Sequence, residues 1–99
     1  MTPEQLVQAV NKAQAEHNYD ECVKLLSEII VKQSRNTDAF NSRGTAYAKL
    51  KQFEKAIQDY NQAIELNPKY ADAFNNRGTA YAKLKQFEKA IQDTTKPLS

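Results

Sequence analysis

The chain has no tryptophan and only one cysteine, one methionine and one histidine among its 99 residues. A lone thiol, Cys22, cannot close an internal disulfide. Single copies of His and Cys leave no metal-ligand spacing to read. No apolar run approaches the roughly 20 residues that span a bilayer. The opening MTPEQLVQAV lacks the basic start and apolar centre of a signal peptide. Charge of neither sign dominates, with 14 Lys and Arg interspersed with 12 Asp and Glu for a net +2. That balance makes no case for nucleic acid or an anionic membrane as partner. With two glycines and three prolines there is also little to interrupt a helix. The expectation is one small cytoplasmic domain with a modest core.

What the chain does have is a repeat. DAFNSRGTAYAKLKQFEKAIQD, residues 38–59, recurs 34 residues later as DAFNNRGTAYAKLKQFEKAIQD, residues 72–93, with Ser42 against Asn76 as the one difference. The same step backwards from Phe53, Ala56, Tyr60 and Ala63 lands on Tyr19, Cys22, Leu26 and Ile29. Residues 3–36 therefore read as a diverged first copy, 37–70 as a full one, and 71–99 as a third. Within the middle copy, Phe40, Gly44, Tyr47, Ala48 and Leu50 fall at helical spacing. After a break at Lys51-Gln52, Phe53, Ala56, Ile57, Tyr60, Ala63 and Ile64 repeat the pattern. Each copy is thus predicted to be two antiparallel helices. Asn67-Pro68 predicts the end of the second, because the residue before proline avoids the α region. Thr2, Pro3 and Gln5 spell a capping box, which reads as the start of the chain. Glycine inside a helix costs about 1 kcal/mol relative to alanine, so Gly44 and Gly78 at the same register predict a close helix approach.

These features resemble the tetratricopeptide repeat (TPR) family. The resemblance rests on the 34-residue period, Phe40 and Phe74, the Gly-x-x-Tyr of Gly44–Tyr47 and Gly78–Tyr81, Ala56, Ala63 and Pro68. Arg43 and Arg77 stand where the family usually has leucine, and Leu6, Val10 and Ala13 make the first copy atypical. The implied fold is all-α, a right-handed superhelical array of antiparallel helix pairs (an α-solenoid) with about three units, the last truncated. The implied function is a non-enzymatic scaffold that binds a protein or peptide in a concave groove. By that resemblance the groove is lined by Gln8, Asn11, Asn41, Ser42, Thr45, Lys49, Asn75, Asn76, Thr79 and Lys83, with Gln14 continuing it. Asparagine amides suit a peptide backbone because each both donates and accepts. One TPR subtype clamps acidic chaperone tails with lysines, an arginine and asparagines. Val7, Asp38 and Asp72 do not match that set.

No catalytic constellation competes with this reading, and no cofactor is implied. His17 falls near a helix end, where an exposed polar residue is ordinary. Cys22 takes the slot of Ala56 and Ala90, so a buried packing role is expected. Glu21, Glu28, Glu54 and Asp59 are expected on exposed faces, in weak pairs with Lys24, Lys55 or Lys89.

The two copies agree to Asp93 and then part, DYNQAIEL against DTTKPLS. One permitted coding of the former, GAT TAC AAC CAA GCC ATT GAG CTG A, loses a single T to become GAT ACA ACC AAG CCA TTG AGC TGA. That line reads Asp-Thr-Thr-Lys-Pro-Leu-Ser and a stop. The terminus therefore reads as a one-base frameshift within a third copy, and Pro97 predicts an early end to its second helix. Tyr81, Leu84, Phe87 and Ile91 would then form an exposed apolar end suited to self-association as a homodimer or by helix exchange.

Overall fold

The computed structural model describes the backbone of residues 1–95 and the side chains of residues 1–93. Among the described residues six helices follow one another: α1 (Pro3–Ala15), α2 (Tyr19–Lys32), α3 (Thr37–Lys49), α4 (Phe53–Leu66), α5 (Ala71–Lys83) and α6 (Phe87–Thr95). Each packs on its neighbours in sequence, and α3 also touches α5. The result is an elongated all-α solenoid measuring 41 × 27 × 18 Å. The Pro97 stop and most of the frameshift reading lie outside the described residues.

Local chemistry sets the helix ends. The capping box of α1 forms as expected: Thr2 Oγ1 accepts from the Gln5 amide at 3.2 Å, and the Thr2 amide donates to Gln5 Oε1 at 2.8 Å. Asn18 and Asn36 cap α2 and α3 by accepting from the amides of Glu21 and Ala39. Helix α4 ends at Leu66, with Asn67 extended before Pro68.

The connections inside each pair hold a feature the sequence conceals. His17, Lys51 and Lys85, each 34 residues apart, adopt left-handed backbone with φ of 56°, 61° and 62°. The following amides of Asn18, Gln52 and Gln86 donate to the carbonyls of Ala13, Tyr47 and Tyr81, at 2.8–2.9 Å. These are Schellman turns, which satisfy the last carbonyls of a helix and usually carry glycine at the left-handed position.

The core comes in three patches that bridge the pairs. Leu6, Val10, Cys22, Leu25, Leu26 and Ile29 bind α1 to α2 and take in Ala39 and Ala46 of α3. Ala56, Ile57 and Tyr60 of α4 meet Ala80 of α5, with Tyr47, Phe53, Tyr81 and Leu84 packed around them. Phe40, Ala63 and Ala73 form the third. Cys22 is fully buried, and burial pushes its thiol up from the ordinary value. A Cβ at Gly44 would lie 2.7 Å from the Tyr60 ring and 3.1 Å from the Ala56 carbonyl oxygen. Glycine here lets α3 and α4 close on the tyrosine between them.

Candidate functional site

The first helices α3 and α5 lie side by side, and polar side chains join them. Asn76 Nδ2 donates to Asn41 Oδ1 at 3.1 Å. Tyr70, just before α5, donates its hydroxyl to Asp38 Oδ1 at 2.5 Å. Burial, and then the Asp38 carboxylate that the hydroxyl bonds, push the Tyr70 phenol up to about 12. Thr45 Oγ1 lies 3.1 Å from both the Asn41 carbonyl and the Tyr60 hydroxyl, so the 2 % exposed tyrosine keeps a polar partner.

Two hollows open along this surface. The larger, of about 570 Å³, is lined by Thr45, Lys49, Asn76, Thr79 and Lys83 from the groove set, and by Lys51, Phe53 and Tyr60, which that set omits. The smaller, of about 300 Å³, gathers Asn11, Gln14 and Ser42 beside Val7 and Asp38. Gln8 borders a separate depression with Pro3 and Ile29. Asn75 is exposed and lines neither hollow, though its carbonyl accepts from Thr79 Oγ1. Tyr60 is missing from the groove set because its spacing assigns it to the core, where its ring indeed packs. Lys51 is missing because nothing in its own identity announces a left-handed turn.

The sequence reading of Asp59 requires correction. This residue is 5 % exposed and accepts a two-pronged bond from Arg43, Nε to Oδ2 at 2.8 Å and Nη2 to Oδ1 at 2.7 Å. Arg43 Nη1 also donates to Ser27 Oγ on α2, so one guanidinium ties three helices. It lies 5.7 and 5.9 Å from the ring centres of Phe40 and Tyr47. Arg77 repeats the arrangement with Asp93, Asn61, Phe74 and Tyr81. The hydrogen bonds the arginines donate to the carboxylates raise both guanidinium pKa values against the opposing effect of burial. Lys55 and Lys89, expected beside carboxylates, instead lie over the rings of Tyr47 and Tyr81. Among the described residues the ion pairs are the two arginine–aspartate pairs.

The end of the array also differs from expectation. Tyr81 and Leu84 are half-buried against α4, inside the contact between the second and third pairs. Phe87 and Ile91 are 58 % and 60 % exposed. No group of His, Cys, Asp and Glu among the described residues could hold a metal ion, and no described helix is long and apolar enough to cross a membrane.

A family model for the TPR repeat matches residues 44–85. The second TPR domain of Spaghetti (RPAP3), solved bound to the HSP90 peptide SRMEEVD, superposes with a TM-score of 0.86 at 30% identity, over 90% of this chain and 82% of that one. The chain belongs to the tetratricopeptide repeat family. The yeast Sti1 TPR2B domain, solved in a pHsp70 complex, gives a TM-score of 0.87 at 27% identity over 91% of this TPR chain and 72% of that one. Outer envelope protein 61 of Arabidopsis thaliana is 38% identical over 53 residues, which is 54% of this chain and 10% of that protein. The TPR chain spans only 10% to 13% of the length of the curated relatives it matches.

Proposed function

We propose that this TPR chain is a protein-interaction scaffold that acts by binding, without catalysis, and holds a peptide or helix against its first helices. We read it as three units, 3–36, 37–70 and 71–99. The observation that carries the binding reading is the open hollow across α3 and α5, where amide, hydroxyl and ammonium groups surround an apolar floor. Such a mixture suits peptide backbone and side chain together. Neighbours of the same fold have been solved with the HSP90 peptide SRMEEVD and with pHsp70, which supports a peptide as the kind of ligand.

Selection of displayed random peptides on the immobilised chain tests this reading. Peptides should be enriched, and Asn41→Ala with Asn76→Ala should weaken them by about tenfold, through the loss of two amide hydrogen bonds. Failure to enrich any peptide, or enrichment indifferent to those substitutions, would remove the groove as the functional surface.

A second reading, self-association through the last pair, draws on the exposure of Phe87. Its counterpart Phe53 is half-buried beside Tyr81 and Leu84. Light scattering over a dilution series decides it: a dimer abolished by Phe87→Ser supports the reading, and a monomer at every concentration ends it.

A further inference from the structure

We propose that the hollow between α3, α4 and α5 is a subsite for an internal acidic peptide segment carrying an aromatic side chain. This rests on the groove reading above and names the ligand chemistry that the groove selects.

Three lysines, Lys49, Lys51 and Lys83, line this one hollow. All three are exposed, and among the described residues none has an ion pair. Positive charges gathered around a recess concentrate the local field and draw in anions. Beside polar groups such as Thr45, Asn76 and Thr79, the recess has an apolar floor. Ala48, Phe53 and Ala80 contribute to its lining, and its volume of about 570 Å³ falls within the range of ligand pockets. An anion alone would leave that floor wet. An aromatic ring would bury apolar area there and meet the half-buried Phe53 edge-on or offset, while neighbouring carboxylates reach the lysines.

Charge along the helices gives the direction. Asp38 and Asp72 begin α3 and α5, whereas Lys49 and Lys83 end them. Eleven residues of helix separate the two edges by roughly 16 Å. An acidic segment is therefore drawn to the lysine edge and repelled from the other. The opposite edge carries the Asp38 and Asp72 carboxylates, which repel a free terminal carboxylate. The ligand is accordingly read through side chains and needs no chain end. The subsite also belongs to one junction. One repeat earlier, Ala15 and His17 stand where Lys49 and Lys51 stand here, and the hollow at that junction is lined by Asp38 and by no lysine.

The probe is acetyl-Gly-Asp-Glu-Phe-Glu-Asp-Gly-amide, with both ends blocked, titrated calorimetrically into the full chain. Binding is expected, and it should weaken as salt is raised. Changing the peptide's phenylalanine to alanine should cost about tenfold in affinity. Lys49→Ala with Lys83→Ala should cost about the same. Both lysines are exposed, so these variants should unfold in urea as the parent does. Three results would overturn the proposal while leaving the groove in place. The probe could fail to bind although display-selected peptides do. Its affinity could ignore replacement of the acids by their amides. Its affinity could fall with Asn41→Ala and Asn76→Ala yet be unmoved by the lysine pair. If neither the probe nor any selected peptide binds, the groove reading itself falls.

Discussion

Arg43 and Arg77 bring charge into positions where the TPR pattern has leucine, and each is answered by an aspartate 16 residues on. Removing one partner of such a pair leaves a buried carboxylate unpaired, which costs about 3–5 kcal/mol, whereas replacing both by apolar groups is close to neutral. Arg43→Leu alone should therefore destabilise the chain severely in urea titrations. Arg43→Leu with Asp59→Leu should recover most of the loss. A single variant costing less than about 1 kcal/mol would show that the pair is solvated and idle. Tyr70 offers a second test at this scale. Its phenol ionises near 12 in the folded chain, above its ordinary value. The folded state thus holds the proton more tightly, so the contribution is complete below about pH 10 and is lost as pH rises from there through 12. Burial moves Tyr60 the same way. Stability should fall over that alkaline window, and Tyr70→Phe should flatten part of the slope. A Tyr70 phenolate appearing near pH 10 in NMR would refute the Asp38 bond.

Helix boundaries were largely legible in the sequence because they depend on local chemistry: Thr2 and Gln5 spell a cap, and Asn67-Pro68 spells a stop. The left-handed turns were not, because His17, Lys51 and Lys85 are not glycine, and only the 34-residue offset hints that they share a conformation. Asp59 was misplaced for a related reason. Its helical spacing puts it one step from Tyr60, but only the fold brings Arg43 across to it. The groove set was half legible. Thr45, Lys49, Asn76, Thr79 and Lys83 meet around one hollow, while Gln8 and Asn75 lie apart from it. A lysine in left-handed backbone carries about 1–2 kcal/mol of strain that glycine does not. Lys85→Gly should relieve it, after the greater flexibility of the unfolded chain is deducted, by about 0.5–1 kcal/mol. At this chain length that is a rise of a few degrees in Tm. A fall in Tm would mean that Lys85 does more by its side chain than its turn costs.

Across the molecule, contacts among the described residues run between successive helices, with α3 against α5 as the one skip. Stability in such an array behaves as a sum over neighbours, so a defect's reach depends on its place and not only on its size. Val10 sits in the first patch, which holds α1 and α2 against α3. Ile57 sits in the middle patch, which joins α4 to α5. Val10→Ala removes more buried carbon and should cost about 2 kcal/mol, whereas Ile57→Val should cost about 1 kcal/mol. Native-state hydrogen exchange should nevertheless rank them oppositely in extent. Val10→Ala should lower amide protection in α1 and α2 and leave α4 and α5 near their parent values. Ile57→Val should lower it from α3 through α6, because the arginine ties from Arg43 to Asp59 on α4 and from Arg77 to Asp93 on α6 carry the loosened middle to both sides. Equal loss at every amide in both variants would mean that the chain opens only as a whole. The repeats would then be a pattern of sequence and packing but not separate units of stability.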